Sequence, residues 1–191
     1  MYLISSNETK LKEFKRILPE ISILKGKDLK EVDGTPEEVI IYKSIEAGKN
    51  TVVEDTILVI DGKEIVDIKW KINQLKKLKS NKTIKAKWEV LIGYNNGTEI
   101  YIYKGVVNGR INPNSKDKGY QFDPFFIPND NYFEKNIDNK SLAVLENENK
   151  KDYFSARKNA LINFKNSNVY KIINIKDVPE WKGKYQNNWL F

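Results

Sequence analysis

Apolar residues along this chain follow two spacings, and together these spacings predict a mixed α/β fold. Apolar and polar residues alternate in the first half of the run from Thr83 to Tyr94, and a second strand-like run extends from Thr98 to Val107. The turn Asn95-Asn96-Gly97 joins the two runs, which predicts an antiparallel hairpin. Shorter apolar runs predict three further strands, at residues 1–4, 21–24 and 169–175.

Apolar residues at intervals of three and four predict four helices. The first begins after Asn7, a good capping residue, and Pro19 ends it. The second begins with Thr35 and Glu38 in the pattern of a capping box, and Gly48 ends it. The other two follow the apolar positions 68, 72, 75 and 78 and the segment from Tyr153 to Phe164.

The run from Val52 to Ile60 is apolar enough for a buried strand, but Glu54, Asp55 and Thr56 interrupt it. An unpaired buried carboxylate is costly, so we expect these acids to stay out of the core and to face a cleft, a cation or both. Carboxylates in a cleft beside basic residues suit Mg²⁺, which one or two carboxylates and substrate phosphates can hold. The alternative is a turn between two strands, closed by Asp55 and Thr56.

The segment Ser5-Ser6-Asn7 leads from an apolar run into the first helix, and Lys10 follows one turn later. Backbone N–H groups and the positive end of the helix dipole meet at such a point, which favours a phosphate site. The segment lacks the glycines and the Gly-Lys-Ser/Thr ending of a P-loop. The alternative is an ordinary capped helix with a solvated lysine.

Glu38 has a structural explanation of its own. The glutamate of a capping box bonds back to the backbone N–H of the capping residue, here Thr35. A metal-binding role for Glu38 therefore needs independent support.

The segment from Gly119 to Phe126 alternates aromatic residues with Gln121 and Asp123. Exposed rings beside an acid can stack on a nucleobase and accept hydrogen bonds from its edge. The segment therefore favours a base-binding loop, and the alternative is a hydrophobic loop that plugs the core.

Composition narrows the chemistry that this chain can perform. Its 33 Lys and Arg against 26 Asp and Glu give a net charge of +7, which attracts anions such as nucleotides or nucleic acid. The absence of cysteine and histidine excludes zinc fingers, disulfide scaffolds, thiol catalysis and Ser-His-Asp triads. No signal-peptide pattern and no apolar run of about 20 residues is present, so we expect a soluble cytoplasmic protein with no membrane partner.

Five segments of the chain form an ordered set: SSNETK, TPEEVIIYKS, VVEDT, GYQFDPFF and KDYFSARKNAL. In this order they resemble the signature blocks of the inosine/xanthosine triphosphate pyrophosphatase family, the house-cleaning nucleotide hydrolases. The resemblance covers about residues 1 to 165. The third block, with Ile68-Lys69-Trp70 after it, is closer to the eukaryotic branch of that family than to the bacterial one.

This resemblance implies a long twisted mixed β-sheet flanked by helices, with two lobes and an active cleft between them. It also implies a homodimer that hydrolyses inosine, deoxyinosine and xanthosine triphosphates to monophosphate and pyrophosphate, with Mg²⁺ or Mn²⁺ as cofactor. Residues 1–166 would form the pyrophosphatase domain. Residues 167–191 would form a C-terminal extension that packs on the same domain or on a partner.

The resemblance also implies roles for individual residues. Asp55 would be catalytic, Glu38 and Asp55 would bind the metal ion, and Thr56 would lie beside the substrate. The triphosphate would bind at Ser5, Ser6, Asn7 and Lys10. The base would bind at Tyr120, Phe122, Asp123, Lys151, Ala156 and Arg157.

Three features depart from the family pattern. Ala156 replaces the family's histidine, Gln121 replaces the second glycine of its Gly-aromatic-Gly block, and its Gly-Pro-Gly loop is missing or shortened to residues 62–67. We therefore expect weaker discrimination against GTP than is usual in the family. One alternative is a catalytically weak or inactive nucleotide- or RNA-binding module on the same fold, and the other is a pyrophosphatase with a shifted base preference. Retention of both metal-site acids argues against the binding module, so we expect no nucleic-acid partner.

Overall fold

The structure is a computed structural model that describes residues 1–24, 29–66, 68–77, 83–130, 137 and 139–186. The side chains at 69, 70, 74 and 76 lie outside this description as well. The chain forms two compact units. The first contains residues 1–55, 90–105 and those from 158 onward, and the second contains residues 56–89 and 106–157.

The elements are numbered here in chain order. The strands are β1 (Tyr2–Ile4), β2 (Ser22–Leu24), β3 (Thr51–Ile60), β4 (Lys63–Ile65), β5 (Ile84–Asn95), β6 (Glu99–Ile111), β7 (Phe126–Pro128) and β8 (Lys171–Asn174). The α-helices are α1 (Glu8–Ile17), α2 (Pro36–Ala47), α3 (Ile68–Lys77), α4 (Leu142–Asn147) and α5 (Ala156–Lys165). Short 3₁₀ helices span Lys151–Phe154 and Ile175–Asp177. None of the helices in the described ranges has both the length and the apolar run that a membrane span requires.

The described strands form a mixed sheet in the order β2-β1-β3-β5-β6-β7, with β4 beside β3 and β8 beside β6. Strand β1 is parallel to β2 and β3, whereas β4 is antiparallel to β3, and both β7 and β8 are antiparallel to β6. Asn96 closes the predicted hairpin turn between β5 and β6, because its side chain accepts hydrogen bonds from the N–H groups of Thr98 and Glu99. The predicted mixed sheet is therefore confirmed. The predicted cleft between two lobes stays a prediction.

Local sequence signals set where α1 and α2 begin. The Asn7 side chain accepts hydrogen bonds from two backbone N–H groups in the first turn of α1, which is the predicted cap. Thr35 and Glu38 each accept a hydrogen bond from the other's backbone N–H at the start of α2. The predicted capping box is therefore present.

The chain turns back sharply after the central strand β3. Asp61 and Gly62 have φ angles of 48° and 80°, as in the tight turns that join antiparallel strands. Beyond this turn β4 pairs with the end of β3, with Ile65 opposite Leu58. The shortened loop expected at residues 62–67 thus begins as a two-residue hairpin turn, and residue 67 lies outside the described residues.

The segment from 129 to 155 differs from the sequence prediction. Helix α4 forms within a stretch that is polar overall, because Leu142 and Leu145 are buried and the Ser141 side chain caps the helix. The expectation that the last helix begins near Tyr153 is wrong, since α5 begins only at Ala156. Ser155 has an extended backbone, which separates α5 from the preceding 3₁₀ turn.

The described part of the C-terminal extension, residues 167–186, belongs to the first unit. Strand β8 pairs with the start of β6, and further along the Trp181 ring lies 5.1 Å from the ring of Tyr42 in α2. Tyr185 then forms a β-bridge with Val32. Trp181, Tyr42, Tyr185 and Val32 lie among the residues that line a cavity of about 610 Å³. Trp189 and Phe191 of the aromatic tail lie outside the described residues.

Candidate active site

Glu54 and Asp55 lie in the buried part of β3, and each meets a lysine. The two side chains are 5% and 4% exposed. The Nζ of Lys10 in α1 lies 2.6 Å from Glu54 Oε2, and the Nζ of Lys43 in α2 lies 3.4 Å from Asp55 Oδ1. The expectation that these acids stay out of the core is wrong, because the strand buries them. Paired ammonium groups compensate their charge in this position.

Glu31 completes a group of five charged side chains that we call the acid–lysine cluster: Glu31, Glu54, Asp55, Lys10 and Lys43. The Oε1 of Glu31 lies 2.6 Å from Lys43 Nζ, so Lys43 bridges two carboxylates. Among these five side chains alone, three carboxylates and two ammonium groups give a net charge of −1 when all are ionised. This balance is compatible with a bound cation.

The pKa values of Asp55 and Lys43 are both raised, but for different reasons. Burial raises the pKa of Asp55 to about 6, although the Lys43 ammonium works in the opposite direction. Burial alone would lower the pKa of Lys43, but the carboxylates of Glu31 and Asp55 outweigh it and raise that pKa above its ordinary value. Lys43 is therefore a permanent cation, whereas burial favours the neutral form of Asp55.

One oxygen of the acid–lysine cluster suits a metal ion. Asp55 Oδ2 is buried and has no hydrogen-bond partner among the described residues. An unsatisfied carboxylate oxygen in a net-negative cluster fits a divalent cation. In the part of the chain that the structure describes, no three acidic side chains form a ready-made metal cage. Mg²⁺ does not need one, because it keeps several waters and binds through one or two carboxylates plus substrate phosphates.

Glu38, the other predicted metal ligand, is engaged in the capping box. Its Oε2 accepts hydrogen bonds from the backbone N–H of Thr35 at 2.7 Å and from the Thr35 hydroxyl at 2.9 Å. No hydrogen bond or shared lysine connects Glu38 to Asp55 in the described residues. The capping role of Glu38 is thus confirmed, and its metal-binding role stays a prediction.

The predicted phosphate segment forms the N-terminus of α1. Asn7 binds the N–H groups of Thr9 and Lys10, and its own N–H donates to Ser5 Oγ at 3.1 Å. Ser6 lies at the surface. Because these N–H groups already have partners, a phosphate at this point would meet the Lys10 ammonium and the positive end of the helix dipole instead.

The predicted base-binding residues form a second group in the other unit, which we call the base cluster: Phe122, Asp123, Lys151 and Arg157, with Trp88 against them. Lys151 Nζ lies 2.7 Å from Asp123 Oδ2, and both side chains are buried. Arg157 Nη2 donates to the hydroxyl of Thr56 at 3.3 Å. The structure therefore brings together predicted base residues from two sequence blocks and places Thr56, from a third block, beside them.

The two aromatic side chains predicted to contact the base differ in accessibility. Tyr120 is 41% exposed, whereas Phe122 is 3% exposed. The Phe122 ring packs edge-on against Trp88 and Phe126, with centroid distances of 5.7 and 6.0 Å. Tyr120 is therefore the ring of this segment that solvent reaches, and Phe122 fixes the wall of the base cluster.

The two departures from the family pattern in these blocks have different physical consequences. Gln121 has a φ of 46°, a left-handed conformation that a glycine adopts without strain and that costs other L-residues about 1 kcal/mol. Its side-chain amide donates to the hydroxyl of Tyr120. Ala156 is fully buried at the first position of α5 and supplies no hydrogen-bonding side chain.

Three residues of these two clusters are not among the predicted site residues: Glu31, Lys43 and Trp88. Lys43 carries a usable signal, because it follows the apolar run from Val39 to Ile41 in α2, and a lysine on such a helix requires a buried partner. Glu31 precedes α2 in a segment with no regular structure, and Trp88 occupies an ordinary apolar position of β5. These two residues carry no signal in the sequence alone.

Most of the chain is similar to known proteins. The model of the Ham1 family matches residues 1–167. The curated inosine triphosphate pyrophosphatase of Podospora anserina is 33% identical over 140 residues, which are 64% of this chain and 74% of that protein. Every predicted site residue lies within the range of the family match.

Solved structures share the fold. The Ham1 protein of Staphylococcus aureus aligns with a TM-score of 0.65 at 24% identity, covering 87% of this chain and 97% of that one. A HAM1 protein from Coxiella burnetii aligns with a TM-score of 0.61 at 22% identity, covering 87% and 96%. At these identities the likeness concerns the fold alone, and it supports the mixed α/β architecture described above.

Proposed function

Since this chain belongs to the Ham1 family and is a nucleoside triphosphate pyrophosphohydrolase, we propose that it hydrolyses inosine, deoxyinosine and xanthosine triphosphates in the presence of Mg²⁺. The products are the nucleoside monophosphate and pyrophosphate. The observation that carries the proposal is the buried acid–lysine cluster, which is net negative and has an unsatisfied oxygen on Asp55.

The acid–lysine cluster supports the phosphate half of the reaction. Asp55 and Glu38 would hold Mg²⁺, which would neutralise charge on the triphosphate. Glu54 positions Lys10, and the Lys10 ammonium binds the phosphate oxygens on which charge builds up. Asp55 accepts a proton from the water that attacks the α-phosphorus, and Lys43 orients the Asp55 carboxylate.

The base cluster supports a preference for purines with a 6-oxo group. Lys151 and Arg157 present only hydrogen-bond donors. The 6-oxo oxygen of hypoxanthine, xanthine or guanine can accept from them, whereas the 6-amino group of adenine is a donor and would face other donors. Ala156 supplies no donor, so we expect weaker discrimination against GTP than is usual in the family.

A panel of nucleotides tests this proposal directly. With Mg²⁺, turnover of inosine triphosphate should exceed that of ATP by about 10²-fold or more, because a site built around hydrogen bonds rejects a base that leaves its donors unpaired. The panel contains ITP, dITP, XTP, GTP, ATP and the pyrimidine triphosphates. Chromatography separates monophosphate from diphosphate products, and a coupled assay measures pyrophosphate.

Two outcomes of this panel would contradict different parts of the proposal. Release of pyrophosphate from ATP with ITP left intact would refute the base assignment but not the phosphate half. No product from any triphosphate would refute the reaction and favour the nucleotide- or RNA-binding module. Binding by that module would weaken steeply with salt, since the chain carries a net charge of +7.

Replacing Glu38 with glutamine separates its capping role from its metal role. Glutamine serves in a capping box as glutamate does, so the melting temperature should stay close to that of the unaltered protein. If Glu38 is a metal ligand, the Mg²⁺ concentration that gives half-maximal turnover should rise about tenfold or more. The matched control is Glu37→Gln, which alters an exposed pair with Lys171 and should leave the Mg²⁺ dependence unchanged. An unchanged Mg²⁺ dependence in Glu38→Gln would leave Glu38 with the capping role alone.

We also propose that the protein is cytoplasmic and that it forms a homodimer, the latter as the family resemblance implies. Sedimentation velocity at micromolar concentration should give a species of twice the chain mass of 22.3 kDa. A single species at 22.3 kDa would rule the homodimer out under those conditions.

A further inference from the structure

Trp88 is a buried tryptophan whose polar atom meets no acceptor in the described part of the chain. Its side chain is 1% exposed on β5, and its Nε1 has no hydrogen-bond partner among the described residues. An indole N–H is a donor only, and burying it without an acceptor costs free energy. Such groups in a folded protein call for an explanation, which is often a functional one.

The surroundings of Trp88 are those of the base cluster. Its ring centroid lies 5.9 Å from Lys151 Nζ and 5.8 Å from Arg157 Cζ. The Phe122 ring packs against it edge-on at 5.7 Å, which holds the indole in one orientation. The unpartnered N–H therefore belongs to a ring that two cationic donors and a predicted base-contacting ring surround.

The cationic members of this cluster are hydrogen-bond donors only. Lys151 donates to Asp123 and Arg157 donates to Thr56, and neither side chain has an acceptor to offer a ligand. Asp123 is the carboxylate of the cluster, and Lys151 already occupies it. A ligand at this cluster is therefore matched best by an edge rich in hydrogen-bond acceptors.

We propose that Trp88 is a specificity-determining residue, whose Nε1–H donates to an acceptor on the purine edge that carries O6 and N7. This inference rests on the proposed function. Trp88 would then be a third hydrogen-bond donor to the base, beside Lys151 and Arg157. Ala156, in the position of the family's histidine, supplies no donor. A 6-oxo purine presents two adjacent acceptors on this edge, whereas adenine presents N7 beside an amino donor.

The substitution Trp88→Phe tests this assignment, because it keeps an aromatic ring beside the two cations and removes the N–H. The kcat/KM for ITP should fall about tenfold, the effect of one hydrogen bond to the substrate. The same variant is assayed with 7-deazainosine triphosphate, which lacks N7, and with purine riboside triphosphate, which lacks O6. The loss should shrink to less than about twofold with the analogue that lacks the contacted acceptor.

Trp181→Phe is the matched control. It also removes an indole N–H, but that group donates to the carbonyl of Lys184 in the C-terminal extension. Its kcat/KM values should equal those of the unaltered protein for all three substrates. Thermal unfolding of both variants shows whether either change acts through stability.

The outcomes distinguish this inference from the proposed function. If the unaltered protein hydrolyses ITP and Trp88→Phe shows no loss, or an equal loss with all three substrates, Trp88 is a packing residue and the inference is overturned alone. If the unaltered protein hydrolyses none of the purine triphosphates, the proposed function fails and the inference fails with it. A loss that depends on the analogue supports both.

Discussion

Replacing Asp55 with asparagine is expected to reduce kcat by about 10²-fold or more without unfolding the protein. Asparagine has nearly the same size and keeps one oxygen for Lys43, but it neither accepts the proton of water nor carries a charge for Mg²⁺. Lys43 keeps its bond to Glu31, so the variant leaves no lysine unpaired in the acid–lysine cluster.

The assay for Asp55→Asn is pyrophosphate release from ITP at saturating Mg²⁺. Asp61→Asn is the matched control, because Asp61 lies in the turn directly after β3, is exposed, and has a left-handed backbone that asparagine also accepts. The control should keep its turnover. Near-normal turnover of Asp55→Asn would show that the catalytic role belongs to another residue.

Asp55→Asn also has a stability effect with a definite sign. Burial raises the pKa of Asp55 to about 6 in the folded chain, above its ordinary value. The folded chain therefore binds this proton more tightly than the unfolded chain, and the stability gained from the proton is complete at low pH and is lost as the pH rises through about 6. Asparagine does not ionise in this range. The melting temperature of the variant, relative to the unaltered protein and with a chelator present, should therefore increase from pH 5 to pH 8. A relative melting temperature that falls over this range would contradict the position of Asp55 in the cluster.

Replacing Lys43 with methionine is expected to have the largest effect on stability. The change leaves Glu31 and Asp55 without the cation that bridges them, and removing one partner of a buried ion pair costs about 3–5 kcal/mol. The melting temperature should fall by on the order of 10 °C in a chain of this size. Turnover should fall as well, since the Asp55 carboxylate loses the group that orients it.

Two further variants show whether the effect of Lys43→Met comes from the buried ion pair. Lys171→Met removes an exposed partner of Glu37 and should change stability by less than about 1 kcal/mol. Adding Glu31→Gln to Lys43→Met removes one of the two orphaned carboxylates and should recover part of the lost stability. Equal melting temperatures for Lys43→Met and Lys171→Met would show that the buried bridge contributes nothing to stability.

The sequence predicts the parts of this fold that short-range chemistry determines. Asn7 and Thr35 identify the beginnings of α1 and α2 because a cap forms between residues two or three positions apart. Asp61 and Gly62 end β3 by the same kind of short-range chemistry, because the turn needs two residues that accept a positive φ. The mixed sheet and most of its strands follow from such signals together with apolar alternation.

The contacts of the candidate site could not be predicted in the same way. Which carboxylate meets Lys43 depends on how α2 packs against β3, and the partner Glu31 lies outside any regular element. The burial of Glu54 and Asp55 does not follow from the sequence, because the high cost of burying a carboxylate falls when a lysine pairs with it, and the sequence does not show that pairing. Helix α4 gives no periodic signal, because the apolar run Leu142–Leu145 is only four residues long.

The bridge between Tyr185 and Val32 has a consequence for the formation of the acid–lysine cluster. The N–H of Gln186 donates to the carbonyl of Glu31, and the Gln186 side chain donates to Val32, 154 residues earlier in the chain. The segment that carries Glu31 therefore obtains these backbone partners only when residue 186 is present, since a domain folds as a unit. Lys43 and Asp55 both lie within the first 55 residues, whereas the position of Glu31 beside them depends on a contact made 154 residues away along the chain.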